Sequence, residues 1–148
     1  MTPEAIRALA SADRIDRRVY GDPAIFALEM ERIFARAWIY VGHESQVARP
    51  GDYFTTTLAG RPVVMIRGDD GTVHVLRNRC GHRGAVVVTQ RSGSARLLRC
   101  PYHGWTFRRD GALDAVPLPD GYAGSGFDRC DPAYGMPRLP RVGSYRGF

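Results

Sequence analysis

The chain has 148 residues, 44 % of them hydrophobic, which suits one domain of ordinary size with a real core. It carries a formal charge of +6 from 21 arginines and no lysine, spread along its length and not interleaved with aromatics, so nucleic-acid binding is not expected. No apolar run reaches the eighteen or so residues of a membrane helix, and MTPEAIRALASADR has no apolar leader core, so a cytoplasmic protein is expected.

The first forty residues read as helical. Thr2-Pro3 and Asp22-Pro23 each place a capping side chain before a proline. Phe26, Met30, Ile33, Phe34 and Ala37 recur at three and four and predict one apolar stripe for packing. From Trp38 the pattern turns to short strands. WIYVGH, YFTTTL, PVVMIRG, TVHVLRN, AVVV, RLLRC, WTFRR and ALDAV read as strands. Arg49–Asp52, Asp69-Asp70-Gly71 and Arg109-Asp110-Gly111 read as turns. Residues 1–40 are thus expected as a helical segment, and 41–148 as a mainly β domain, an antiparallel barrel or sandwich. After Val116 the Pro- and Gly-rich stretch predicts an irregular covering loop, and VGSYRGF the start of another strand.

Two segments carry the chemistry: Cys80-Gly81-His82 and Cys100-Pro101-Tyr102-His103, with seventeen residues between His82 and Cys100. Each offers a thiolate and an imidazole, bounded by residues such as Gly84 and Gly104 that allow close backbone approach. A structural zinc site with two Cys and two His is one reading. Zinc fingers, however, pair Cys with Cys and His with His. The mixed order here suits a dinuclear cluster better, Cys80 and Cys100 on one iron and His82 and His103 on the other. Three cysteines make no disulfide framework, and Cys130 is left as a free loop thiol.

The pattern CxH-x17-CxxH, with glycine after the second His, closely resembles the Rieske family. CGHRG and CPYHGWTFRRDG, together with the helical lead, resemble the N-terminal domain of the large (alpha) subunit of Rieske non-heme iron, aromatic-ring-hydroxylating oxygenases, the benzoate and anthranilate types in particular. The resemblance implies a [2Fe–2S] cluster that takes electrons from a reductase or ferredoxin. It passes them to a mononuclear Fe(II) in a catalytic domain of the same or a neighbouring subunit of a trimeric parent. That iron's ligands have no candidates here: only His43 and His74 remain, His43 ending a strand and His74 alternating with valines on another. The chain is therefore expected to relay electrons without hydroxylating anything itself. A stand-alone Rieske ferredoxin fits less well, since such proteins lack the helical lead and the long tail.

Ala85 and Tyr102 stand where membrane-bound respiratory Rieske proteins carry additional cysteines, and Trp105 stands where they carry a serine. Loss of that hydroxyl donor implies a potential near the bottom of the Rieske range. Arg83, Tyr102 and Trp105 are the expected neighbours of the cluster: Arg83 at an interface, Tyr102 as a cover, Trp105 keeping water away.

Overall fold

Thr2 begins the first helix, its Oγ1 accepting the Ala5 amide at 3.2 Å with Pro3 next in line. In the computed structural model, which describes residues 1–148, this helix (α1, Pro3–Arg7) is short. It is followed by α2 (Arg18–Gly21) and α3 (Pro23–Glu29), the latter capped by Asp22 Oδ1 on the Ala24 amide at 2.8 Å. These elements form one compact unit, Met1–Ile39; Tyr40–Phe148 forms a second.

The lead is less helical than expected. Ser11 donates to Asp13 at 2.8 Å and to the Arg14 carbonyl at 3.2 Å, and such local bonds compete with helix. The apolar stripe is also not a buried face. Phe26, Ile33 and Phe34 are exposed, and Ile25, off the stripe, is the buried residue of α3. From Met30 to Phe34 the helix widens into a π turn, which shifts its phase, so spacings of three and four cease to mark one side.

The second unit holds two antiparallel sheets. The larger has the order β3-β2-β1-β4, with β1 Asp52–Leu58, β2 Arg61–Arg67, β3 Val73–Arg77 and β4 Ser92–Ser94. The smaller has the order β5-β6-β7, with β5 Leu98–Arg99, β6 Thr106–Phe107 and β7 Leu113–Ala115. β1 and β2 meet at Ala59-Gly60, whose φ values of 47° and 74° are those a two-residue primed turn demands. The expected turns at Asp69–Gly71 and Arg109–Gly111 are present. Asp70 accepts the Thr72 amide at 2.9 Å, and Asp110 the Ala112 amide at 3.0 Å. Arg109 ties these two turns together, pairing with Asp69 and donating to the Ala95 carbonyl at 3.0 Å.

The run Val63-Val64-Met65-Ile66 is buried throughout, because β2 is covered on both faces. Val64 and Ile66 join Leu76, Leu98, Trp105, Phe107 and Leu113 between the sheets, while Val63 and Met65 pack with Val47 and Val75 on the other side. Two packed sheets and no closed barrel thus define a β sandwich.

Three strand expectations fail and a fourth is shortened. WIYVGH is irregular and leaves Trp38 and Tyr40 exposed. VGSYRGF ends in a turn, with Tyr145 and Phe148 exchanging backbone bonds at 2.8 and 3.0 Å. RLLRC contributes only Leu98–Arg99. AVVV pairs with no strand, because a side chain takes the strand's place. Buried Asn78 accepts from the Val87 and Val88 amides at 3.1 and 2.9 Å and donates to the Val88 carbonyl at 2.7 Å. Conversely, Ser92–Ser94 is a strand that its composition conceals. Gly93 leaves room for Tyr53, whose Oη would lie 2.6 Å from a Cβ there. Residues 117–140 are irregular as expected, apart from 3-10 turns at Pro119–Tyr122 and Pro132–Tyr134.

Asn78→Ala orphans three buried backbone groups and is expected to cost about 3 kcal/mol or more, read as a fall in the denaturant midpoint. Asp110 predicts a pH effect. Its partial burial acts to raise its pKa, but the Ala112 amide and the guanidiniums of Arg108 and Arg138 outweigh this and hold the carboxyl below its ordinary value. The stability Asp110 contributes is therefore complete above the unfolded value of about 3.9 and is lost as pH falls through the lower folded value. Asp110→Asn should flatten the acid limb of the melting temperature against pH.

Candidate metal centre

Both ligand loops are closed by the same two backbone hydrogen bonds. In the first, the Cys80 amide donates to the Ala85 carbonyl at 2.8 Å and the Gly84 amide donates to the Cys80 carbonyl at 2.9 Å. In the second, the Cys100 amide donates to Trp105 at 2.8 Å and the Gly104 amide to Cys100 at 3.0 Å. Gly84 and Gly104 take φ of 75° and 72°, the left-handed conformation that closure requires and that side chains resist. The second loop is the tip of the β5–β6 hairpin. The first has no hairpin behind it and is held by Asn78 instead.

The loops bring their functional side chains together. Cys80 and Cys100 are both buried free thiols, near enough for Cys100 to act on the ionisation of Cys80. The His82 and His103 ring centres lie 4.8 Å apart, edge to face. No three His, Cys, Asp or Glu donors gather around one single-ion position; the donors come as two Cys/His loops. Burial pushes the Cys80 thiol above its ordinary pKa, and the neighbouring Cys100 adds to this. Burial, then the nearby His103 and Arg83, lower the His82 pKa and favour the neutral imidazole. His82 Nδ1 is fully buried without a hydrogen-bond partner. Buried polar atoms are rarely left so, and an orphaned ring nitrogen together with two buried thiols on the same two loops forms a donor set for a metal group. The residues present therefore fit an iron–sulfur cluster held by both loops.

The surroundings of the two imidazoles differ. His82 stacks on Trp105, centres 4.7 Å apart and planes 8° from parallel. Trp105 is fully buried, donates from Nε1 to Tyr122 Oη at 3.2 Å, and meets Phe127 and Tyr134. His103 is exposed, covered on one side by the exposed ring of Tyr102 at 3.8 Å. Arg83 is exposed beside His82. His43 instead caps the 3-10 turn Glu44–Val47 through Nδ1 and packs against Phe148. His74 lies on β3 opposite Ile66, and Cys130 is an exposed loop thiol.

Tyr122, Phe127 and Tyr134 were not singled out by sequence pattern, and Gly81 was expected only as a small residue allowing close backbone approach. The signal is the scatter of aromatics through a loop rich in Pro and Gly. That loop is keyed to the first ligand loop: a Cβ on Gly81 would fall 2.2 Å from the Tyr134 carbonyl oxygen.

The Rieske [2Fe–2S] domain family matches residues 37–140, and the chain belongs to that family. It is 40 % identical over 137 residues to the benzene 1,2-dioxygenase alpha subunit of Pseudomonas putida, covering 93 % of this chain and 30 % of that protein. It is 38 % identical over 112 residues to the glycine betaine monooxygenase oxygenase subunit of Chromohalobacter salexigens, covering 76 % and 25 %. Its fold matches naphthalene 1,2-dioxygenase from Rhodococcus sp. with a TM-score of 0.82 at 32 % identity, over 90 % of this chain and 30 % of that one. The chain thus spans about a third of the length of the relatives it matches. No helix is long and apolar enough to cross a membrane.

Gly81→Ala must displace backbone, not a flexible side-chain end. Iron and acid-labile sulfide per chain are expected to fall severalfold, while Gly121→Ala, with open space around it, leaves both unchanged.

Proposed function

We propose that this chain is the electron-relay part of an aromatic-ring-hydroxylating oxygenase alpha subunit, with Cys80 and Cys100 holding one iron of the cluster and His82 and His103 the other. The carrying observation is the pair of identically closed loops, each presenting one Cys and one His, with His82 Nδ1 buried and unpartnered. A cluster so held supplies one-electron transfer, its two neutral imidazoles setting the potential within roughly −150 to +300 mV.

The chain's own residues prepare that chemistry. Burial of Cys80 and Cys100 keeps water from the sulfurs. Trp105 walls one face of His82 and, as an indole whose N–H is engaged by Tyr122, offers no hydroxyl to the site. His103 is the exposed imidazole and the natural point of exit, with Tyr102 stacked on it. In this reading residues 1–40 are a helical lead and 41–148 the cluster domain. A cytoplasmic reductase or ferredoxin is the electron donor. A mononuclear non-heme iron, in a catalytic domain of the same or a neighbouring subunit of a trimeric parent, is the acceptor. The aromatic substrate class is supported by the benzene and naphthalene dioxygenase relatives.

The test is spectroscopic. The reddish-brown chain, reduced with dithionite, should give a Rieske-type EPR signal with two irons and two sulfides, and Cys80→Ser or His103→Ala should abolish it. Zinc in place of iron contradicts the reading. The midpoint potential should lie near the bottom of the Rieske range, and a strongly positive one contradicts the assigned role of Trp105. With reductase and oxygen but no other subunit, the chain should take up electrons and oxidise no aromatic substrate.

A further inference from the structure

Each ligand loop is preceded by an arginine, Arg79 before Cys80 and Arg99 before Cys100. Both side chains fold back over their own loop. Arg79 Nε and Nη2 lie 3.1 and 3.4 Å from where a Cβ on Gly84 would stand; Arg99 Nη2 and Nε lie 3.4 and 3.6 Å from the same point on Gly104. The two guanidiniums are thus parked alike on the left-handed glycines that close the loops. Neither has a counter-charge. The ion pairs of the chain engage Arg18, Arg67, Arg108, Arg109 and Arg138 only. Their charge does not vary with conditions, because a guanidinium stays protonated at any working pH.

A pair of uncompensated cations on the two loops of an electron-accepting site has a definite electrostatic consequence. In the step concerned, one electron passes from a reductant to the site made by Cys80, His82, Cys100 and His103, no bond is made or broken, and the site becomes more negative by one charge. A positive charge held nearby stabilises that product over the oxidised state. Both residues are exposed, so the effect is screened by salt. We propose that Arg79 and Arg99 are electrostatic tuning residues, seated on Gly84 and Gly104, that raise the reduction potential of the site. The proposal rests on the ligand assignment above. It also sets the arginines against Trp105, which lacks the hydroxyl donor that would raise the potential.

The test is a redox titration of the full chain loaded with iron and sulfide, followed by EPR. Arg79→Gln and Arg99→Gln should each move the midpoint to more negative values, and the double variant by about the sum of the two. Arg79→Lys and Arg99→Lys should stay at the wild-type value, because they keep the charge and lose only the planar contact. Raising the salt should lower the wild-type midpoint, and lower it less in the double Gln variant. An unchanged midpoint in the double Gln variant overturns the proposal, as do Lys variants that fall as far as the Gln variants. Should the Gln variants fail to hold a cluster, a wild-type midpoint insensitive to salt overturns it equally. A wild-type chain with iron and sulfide but no Rieske signal overturns the ligand assignment instead.

Discussion

A backbone amide reaching five residues forward, and a glycine amide reaching four residues back to the same cysteine, close each ligand loop around a tight turn. This closure sets where the sulfur and imidazole can point, and the rest of the fold is arranged to hold it. The second loop inherits its support from sheet pairing: Leu98 opposite Phe107 and Arg99 opposite Thr106 deliver Cys100 and Trp105 to the hairpin tip already in register. The first loop has no such strand partner. Asn78 replaces the missing strand with three side-chain bonds to Val87 and Val88, at the cost of burying an amide that only those bonds repay. One loop geometry is thus reached by two unlike means.

Covering residues complete the arrangement. The segment around Tyr134–Leu139 bonds along β3, through Arg77 to Pro137 at 2.7 Å and Leu139 to Val75 at 3.0 Å. It brings Tyr134 down on Gly81, and Tyr122 and Phe127 onto Trp105. A loop of Pro and Gly with little regular structure of its own therefore becomes the lid of the aromatic cluster that walls His82.

Much of this was legible in the residues. The Cys/His spacing marked both loops, and Asp-Gly pairs marked the turns at Asp70-Gly71 and Asp110-Gly111, because their chemistry is local. What failed was whatever depends on partners distant in the chain. AVVV has strand composition, yet its hydrogen bonds go to one asparagine side chain. RSGS has loop composition, yet it pairs with the edge of β1 because a tyrosine needs the space glycine leaves. The stripe in the lead was read at a constant helical phase, and the π turn from Met30 broke that phase. The keying of Gly81 to Tyr134 spans more than fifty residues and has no local signature.

Superposing the two loops by their closing bonds aligns Cys80 with Cys100, Gly84 with Gly104 and Ala85 with Trp105. In that frame the histidines do not coincide: His82 falls on Tyr102, and His103 falls on Arg83. The two loops therefore share their closing bonds but are offset by one residue at their imidazoles. One histidine is turned inward against the indole and the other outward under a phenol, so the centre has a front and a back although its frame has neither. Directionality in this small domain comes from a single-residue stagger within a repeated turn.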